Sequence, residues 1–339
     1  MYIGVIFNPH ARRNIAAPGR SRELQNILGK YGEVHETHSA DDVRKVLGEL
    51  LPRITHLVSD GGDGSLNWLV NDTEHCIADS HDWPTFVPSM GGSVNAIGRK
   101  AGVKGRPKEI LRELALAAQA DRPPPEMRLD TLTLEGETKD GEKFHRLCFG
   151  LAAGGVGNRF YDRYYDNHTH GRADVVKVIA RSARDYVQNK IQPSHAITPN
   201  YASRLFIPTQ ARVIIDGDEV PTREHRFLNA GAIDLVIGGG FRLFPKAAEP
   251  GLLHFQAGNL RPSRIIAQMP RALRSGKIRG GFELRDVNGR EMIIEIEGDD
   301  EPLSPIVDGE RFFDIVRLVA RAGPLIRVAR VEPSVAALA

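Results

Sequence analysis

Cysteine and long apolar runs are scarce in this chain, and each absence excludes a class of protein. Only Cys76 and Cys148 occur among 339 residues, and they lack CxxC spacing. They therefore indicate neither a disulfide framework nor a cysteine zinc site, which is typical of a reducing compartment. No apolar run approaches the ~20 residues that span a bilayer, so we expect no transmembrane segment. The apolar start of the chain has no basic leader or cleavage site, so we expect a first strand there and a cytoplasmic protein.

A strong excess of charge of one sign is also missing. The chain has 45 Lys and Arg against 43 Asp and Glu, which gives a formal net charge of +2. Such a balance excludes charge-driven nucleic-acid binding by the whole chain, although it allows local basic patches. We therefore predict no nucleic-acid partner. The length is sufficient for two domains, because single cores seldom grow beyond about 250–300 residues.

The first part of the chain has the pattern of an α/β domain. Up to about residue 120, short apolar runs alternate with stretches of helical period, which predicts a doubly wound parallel sheet with helices on its faces. The prolines at 123–125 belong neither to helix interiors nor to central strands, so we predict a domain boundary after residue 125. Beyond it, alternating runs and Asp-Gly turns predict a mostly antiparallel β domain, interrupted by a basic helix at about 173–188.

Two glycine-rich turns are the first candidate site. The turns at 60–65 and 91–95 each follow a predicted strand of the same sheet, so they open at the edge where doubly wound sheets bind ligands. Gly61, Gly62 and Gly64 can take positive φ and have no Cβ, so backbone N–H groups can turn towards a phosphate that approaches closely. The helix that follows adds the positive end of its dipole. The alternative is a glycine turn closed by an Asx hydrogen bond.

Carboxylates follow in two places. Asp63 lies inside the first glycine turn, where it would repel phosphate unless it holds Mg²⁺ or a substrate hydroxyl. Asp308 and Glu310 lie in a late Asp-Gly-Glu segment. An Asp-Gly pair ordinarily forms a tight hairpin turn, which is the alternative to a catalytic role there.

These motifs, in this order, resemble the diacylglycerol kinase catalytic-domain family, which includes soluble bacterial diacylglycerol kinases, sphingosine and ceramide kinases and, more distantly, NAD kinases. The resemblance extends over nearly the whole chain, and it is carried by Asn8-Pro9, the segments at 61–67 and 92–95, the glycine-rich segment at 238–247 with 251–253, and Asp308-Gly309-Glu310. It implies an α/β nucleotide-binding domain at 1–125 and a lipid-substrate β-sandwich domain at 126–339. The segment at about 315–330 is a candidate to return to the first domain. MgATP is then expected in the cleft between the domains.

The resemblance also implies roles for single residues. Asp308 corresponds to the general base of the family, with Glu310 beside it and Asp63 as a further catalytic carboxylate. Asp63 and Glu310 are the candidates for Mg²⁺ binding. The residues expected to contact the nucleotide are Asn8, Gly61, Gly62, Asp63, Gly64, Ser65, Gly92, Ser93 and Asn95.

The predicted function is therefore that of a lipid kinase that uses ATP and Mg²⁺ and associates peripherally with a membrane when active. The predicted acceptor is the hydroxyl of a diacylglycerol-like or a sphingoid- or ceramide-like lipid. Two alternatives stay open, a nucleotide kinase similar to NAD kinases and an inactive nucleotide- or lipid-binding homologue. The second is motivated by Trp68, where the family usually has Glu, and by Lys246 and Pro250, where bacterial diacylglycerol kinases often have Asp. Candidate contacts for ATP phosphates or anionic lipid headgroups are Arg12, Arg13, Arg20 and Arg22, with exposed arginines that have no specific partner as the alternative. The basic helix at 173–188 could lie on a membrane surface or pack on the β domain.

Overall fold

The computed structural model describes residues 1–9, 14, 19–92, 94–165, 172–191, 204–237, 241–334 and 337. The chain forms two compact units, one of Met1–Asp130 with Pro324–Ala339 and one of Thr131–Gly323. The expected fold class is confirmed, with a parallel α/β unit first and an antiparallel β-rich unit after it.

The first unit is built on a six-stranded sheet. The strands are β1 Ile3–Phe7, β2 Gly32–Glu36, β3 His56–Asp60, β4 Thr85–Pro88, β5 Glu126–Leu129 and, near the end of the chain, β22 Ile326–Ala329. Their order in the sheet is β2-β1-β3-β4-β22-β5, and all neighbours are parallel except the last pair, β22 and β5. Strands β1 and β3 are buried along their whole length, as expected for a parallel sheet covered on both faces. The helices are α1 Arg20–Leu28, α2 Ala40–Leu50, α3 Asp63–Cys76, α4 Ala96–Ala101 and α5 Pro107–Gln119, with 3-10 turns at Gly29–Tyr31, Leu51–Arg53 and Ser80–Asp82.

Local sequence signals explain where several of these helices begin. The Ser39 Oγ accepts a hydrogen bond of 3.1 Å from the Asp42 backbone N–H, which caps α2. Pro107 occupies the first turn of α5, where its missing N–H has no cost. Helix α1, by contrast, starts after Gly19 in the left-handed conformation, so Ser21 lies inside the helix and does not cap it.

Strand β5 is the last strand of the first sheet before the second unit, and strand β22, which follows the second unit, pairs with it. Strand β5 lies antiparallel to β22, so the first unit extends beyond the boundary expected at residue 125. The segment expected at about 315–330 to return is divided. Its first part, β21 Ile315–Ala322, pairs inside the second unit, and only β22 lies in the first sheet.

The second unit contains two six-stranded antiparallel sheets. Besides β21, the strands of this unit are β6 Leu132–Thr138, β7 Lys143–Cys148, β8 Gly150–Gly154, β9 Thr209–Gln210, β10 Arg212–Ile215, β11 Asp218–Glu219, β12 Glu224–His225, β13 Phe227–Gly231, β14 Leu235–Ile237, β15 Phe241–Leu243, β16 Leu253–Gly258, β17 Leu284–Gly289, β18 Glu291–Glu295, β19 Ile306–Val307 and β20 Glu310–Arg311. The strand orders of the two sheets are β11-β10-β18-β21-β6-β7 and β17-β16-β13-β8-β19-β20, and two short pairs, β12-β9 and β14-β15, accompany them. The helices are α6 Gly155–Tyr165, α7 Arg172–Ile191 and α8 Pro262–Ser275, with a 3-10 turn at Gly281–Glu283.

The helices of the second unit pack on an apolar cluster. This cluster is made of Val156, Leu205, Phe206, Phe227, Leu260, Ile265 and Leu284. The expected basic helix is present as α7, and its Val178 is buried whereas Val176 and Val187 are exposed. One side of α7 therefore packs against protein. No helix of the described chain is long and apolar enough to cross a membrane.

Candidate active site

The two glycine turns of the first unit touch each other through their backbones. The Gly91 N–H donates a hydrogen bond of 3.0 Å to the Gly61 carbonyl. A Cβ on Gly62 would lie 2.9 Å from the Gly92 Cα, and a Cβ on Gly92 would lie 2.6 Å from the Gly62 Cα. The first turn does not use the positive φ that Gly61, Gly62 and Gly64 could take, because none of the three has a positive φ. Glycine is required at the contact for close approach.

Asp63 links the two turns. It begins α3, yet its carboxylate accepts hydrogen bonds from the Ala96 N–H at 2.9 Å and the Ile97 N–H at 3.1 Å. Burial raises the pKa of Asp63, and these amide hydrogen bonds and the charge of Arg99 oppose that rise. Asp63 therefore satisfies the free N–H groups at the start of α4, a structural role that its position in sequence does not reveal.

Asn95 shapes the second turn from within. Its Oδ1 accepts the Gly92 N–H at 2.9 Å, and its Nδ2 donates to the carbonyls of Met90 and Gly92 at 3.0 and 2.8 Å. Asn95 and Met90 both have positive φ, at 52° and 60°. The Asn95 side chain is thus engaged with the turn itself. Ser93, the other predicted polar contact of this turn, lies outside the described residues.

A pocket of about 280 Å³ lies at the carboxyl ends of β1, β2 and β3, next to the first glycine turn. Asn8 and Thr37 contribute polar groups to its wall, and Ser65 contributes its hydroxyl from the first turn of α3. Trp68, one helical turn further, is 40% exposed and forms part of the same wall. The pocket therefore combines a planar aromatic surface with a hydrogen-bonding edge.

Asp60 lies in the wall of this pocket and was missed at the sequence level. It is only 4% exposed, and Arg20 donates two hydrogen bonds to its carboxylate, at 2.9 and 3.2 Å. Asn14 donates to the same carboxylate at 3.3 Å and to the Asn8 carbonyl at 2.8 Å. Arg20 was expected as a contact for phosphate or lipid headgroups, but its guanidinium is paired with Asp60. Its predicted companions Arg12 and Arg13 lie outside the described residues.

In the second unit, Asp308 and Gly309 form a two-residue hairpin turn between β19 and β20. Both have positive φ, at 46° and 91°, as a type I′ turn requires. The Asp308 carboxylate accepts the Gly150 N–H at 2.8 Å and the Phe149 N–H at 2.9 Å. The tight hairpin turn that the Asp-Gly pair predicted is therefore present, and it also fixes the Asp308 carboxylate beside the start of β8.

The same construction recurs at Asp216-Gly217, the hairpin between β10 and β11. Asp216 has a φ of 51°, and its Oδ1 accepts the backbone N–H groups of Arg290 and Glu291, each at 2.9 Å. An Asp-Gly hairpin with no proposed catalytic role therefore has the same kind of geometry as the hairpin at Asp308. A catalytic role for Asp308 needs support beyond that geometry.

Glu310 is held by a buried cation. The Arg146 Nη2 lies 2.9 Å from the Glu310 Oε2, and Arg146 is 8% exposed. The guanidinium also lies 5.6 Å from the centre of the Phe312 ring, within cation–π range. The negative charge of Glu310 is therefore offset within its own unit.

Lys246 is likewise part of an ion pair. Its Nζ lies 3.1 Å from the Asp286 Oδ2, and the buried His254 bonds the other oxygen of Asp286. Burial raises the pKa of Asp286, but hydrogen bonds and charges from His254 and Lys246 hold it below its ordinary value. A lysine at this position is therefore accommodated by a partly buried carboxylate.

The described residues do not by themselves form a magnesium site. Mg²⁺ prefers about six oxygen ligands in near-octahedral geometry. Both oxygens of Asp63 accept amide hydrogen bonds, and Glu310 is paired with Arg146. No group of three His, Cys, Asp or Glu side chains that could hold a metal occurs in the described part of the chain. The metal roles of Asp63 and Glu310 stay predictions, and phosphate oxygens and water would have to supply most ligands.

Comparison with known proteins supports the resemblance. Residues 2–122, which contain both glycine turns, match the family model for the diacylglycerol kinase catalytic domain. A solved structure described as "a putative diacylglycerol kinase from Bacillus anthracis str. Sterne" has a TM-score of 0.59 at 15% identity and covers 95% of this chain and 94% of its own. Another diacylglycerol kinase structure from the same organism has a TM-score of 0.55 at 14% identity, with 94% of each chain covered. At these identities the likeness shows the fold alone. No curated protein matches the chain.

Proposed function

We propose that this chain is a lipid kinase that transfers the γ-phosphate of ATP to the hydroxyl of a diacylglycerol-like or a sphingoid- or ceramide-like lipid. The observation that carries the proposal is the backbone contact between the two glycine turns, in the part of the chain that matches the diacylglycerol kinase catalytic domain. Turns without Cβ atoms let a phosphate approach backbone N–H groups, and the N-terminus of the 14-residue helix α3 attracts negative charge.

The pocket beside the first turn is the proposed site of the nucleoside. Its volume of about 280 Å³ is close to the lower end of small-molecule sites, roughly 300–1,000 Å³. The Trp68 ring can stack on a base, and the polar groups of Asn8 and Thr37 can bond its edge or the ribose. The α- and β-phosphates would then point towards the glycine turns. Magnesium, bound mainly through the phosphates, would supply neutralisation of their charge.

Asp308 is the proposed general base for the acceptor hydroxyl. Phosphoryl transfer to an alcohol needs a carboxylate that takes the hydroxyl proton as the bond to phosphorus forms. Two backbone N–H groups, those of Phe149 and Gly150, hold the Asp308 carboxylate in one position. Because a lipid acceptor resides in a bilayer, the proposal includes a cytoplasmic enzyme that associates peripherally and reversibly with a membrane.

The test is a transfer assay with γ-labelled ATP, magnesium and separate diacylglycerol, sphingosine, ceramide and NAD acceptors. The Asp308→Asn variant is expected to lose at least about a hundredfold in turnover while it keeps ATP binding, as is typical for loss of a general base. The matched control is Asp216→Asn, because Asp216 also lies in an Asp-Gly hairpin and its carboxylate also accepts two backbone N–H groups. We expect it to keep turnover.

Each other outcome has a defined meaning. Equal losses in both variants would assign the effect to hairpin stability and remove Asp308 from catalysis. Transfer to NAD alone would favour the nucleotide-kinase alternative. ATP binding by the wild type without transfer to any acceptor would refute the kinase proposal.

A further inference from the structure

A fully exposed phenylalanine stands out on the second unit. Phe282 is 110% exposed, whereas the next most exposed large apolar side chain of the described chain, Phe313, is 62% exposed. It lies in the 3-10 turn Gly281–Glu283, between α8 and β17. The whole ring is in contact with water, and burial of this apolar surface against a partner would be favourable.

The turn that carries Phe282 is firmly held. The Glu283 carbonyl accepts a 2.8 Å hydrogen bond from the Asn259 N–H, and the Glu283 N–H donates to the Gly280 carbonyl at 3.2 Å. The Glu283 carboxylate also accepts a hydrogen bond of 2.7 Å from Arg264 of α8. Phe282 is therefore presented outward by a backbone that is fixed beside it.

The sequence on the N-terminal side of this turn is rich in cations. The segment from 261 to 283 contains one carboxylate, Glu283, and six basic residues, which are Arg261, Arg264, Arg271, Arg274, Lys277 and Arg279. Glu283 is paired with Arg264 and Arg261. The exposed side chains of Arg271, Lys277 and Arg279 have no carboxylate partner among the described residues. Because the whole chain has a net charge of only +2, this is a local concentration of positive charge.

Gln268 joins the basic segment to helix α8. Its side chain accepts the Arg279 N–H at 2.6 Å and donates to the Arg279 carbonyl at 3.0 Å. The apolar side of α8 is already used, since Ile265 is buried in the apolar cluster of the second unit. We use the name Phe282 surface for Arg271, Lys277, Arg279 and Phe282. It combines one fully exposed ring with three exposed cations that have no carboxylate partner among the described residues.

We propose that the Phe282 surface docks the protein on a bilayer that contains anionic phospholipid, with the Phe282 ring inserted at the interface. Basic side chains are attracted by the negative potential of anionic leaflets, and aromatic rings partition into the interfacial region. A single exposed ring offers no series of stacking platforms, which single-stranded nucleic acid would use. The proposal deepens the proposed function, because it names the surface for the peripheral membrane association included there, and this binding needs no catalysis.

Vesicle flotation without ATP tests the proposal, using phosphatidylcholine vesicles with and without phosphatidylglycerol. The wild type is expected to bind only the anionic vesicles and to dissociate as salt is raised. Phe282→Ser is expected to lower binding about tenfold or more, because burial of a phenylalanine side chain is worth at least that factor. The double variant Lys277→Glu/Arg279→Glu is expected to lose a similar factor and most of the salt dependence.

The matched controls lie elsewhere on the same unit. Phe313→Ser removes another exposed ring, and Lys139→Glu makes a charge reversal at another exposed site. Both are expected to bind vesicles like the wild type. A wild type that binds no anionic vesicle, losses as large in the controls, or stronger binding to single-stranded RNA than to vesicles would overturn the proposal.

A soluble assay separates this proposal from the proposed function. Phe282→Ser should unfold at the wild-type temperature, because its side chain has no buried contacts to lose, and it should phosphorylate a short-chain, water-soluble diacylglycerol at the wild-type rate. If no variant has kinase activity but vesicle binding follows the expected order, the docking surface stands and the proposed function fails.

Discussion

The contact between the two glycine turns can be tested with one pair of substitutions. Gly92→Ala places a Cβ 2.6 Å from the Gly62 Cα and 2.9 Å from the Asn95 Oδ1. Neither neighbour is the free end of a flexible side chain, because one is backbone and the other holds the turn by three hydrogen bonds. The turns must therefore separate. The matched control is Gly64→Ala, whose Cβ would meet nothing within 4 Å.

The expected effect of Gly92→Ala on stability is that of overpacking, about 1–3 kcal/mol. For a unit of this size, roughly 2–4 °C in melting temperature accompanies each kcal/mol, so its midpoint should fall by about 2–12 °C. Gly64 lies in the first turn of α3 without positive φ, so alanine there should leave stability unchanged or raise it by up to about 1 kcal/mol.

Thermal unfolding and calorimetric ATP binding give the two readouts. Gly92→Ala should lower both the midpoint and the ATP affinity. Gly64→Ala should keep the midpoint and lower the affinity if phosphate lies over the start of α3, because the new methyl group projects into open space there. A Gly92→Ala protein with wild-type midpoint and wild-type affinity would refute the contact and the phosphate site inferred from it.

Two further predictions concern the same unit. In a Trp83→Phe background, which removes the buried indole, ATP should quench the fluorescence of Trp68, and a nucleotide that binds without any quenching would place the base outside this pocket. Burial lowers the pKa of His56 to about 4. In the unfolded chain this histidine takes up its proton near pH 6.5, so the free energy of unfolding should fall by about 2 kcal/mol from pH 7 to pH 5. Urea unfolding of His56→Gln should lack this contribution to the pH dependence.

Signals confined to a few neighbouring residues explain local structure. Ser39 and Pro107 are such signals, because each marks a helix start by chemistry that acts within one turn. The domain limit was different, because a further strand of the first sheet, β5, follows the proline run at 123–125. Strand β5 belongs to the first unit only through its pairing with β22, nearly two hundred residues away along the chain.

The reason for the glycines was also predicted only in part. Their position indicated a phosphate-binding turn, and a single segment offered two reasons for glycine there, tolerance of positive φ and close approach of a phosphate to a backbone without Cβ atoms. The reason found in the structure is a contact between two segments, which depends on where β4 lies beside β3. Asp60 was overlooked for a similar cause, since its partners Arg20 and Asn14 precede it by tens of residues.

The carboxylates and the amide of the candidate site share one property that determines how any mutant must be interpreted. Asp63 bonds the start of α4, Asn95 bonds its own turn, and Asp308 bonds the start of β8, each through backbone N–H groups. Removal of any of them leaves a donor without its partner, at a cost of about 1–3 kcal/mol where the donor is buried. Lost activity in an Asp63 variant therefore identifies a catalytic carboxylate only if α4 keeps its fold, whereas Asp308 has the Asp216 hairpin as an internal reference for the same structural loss.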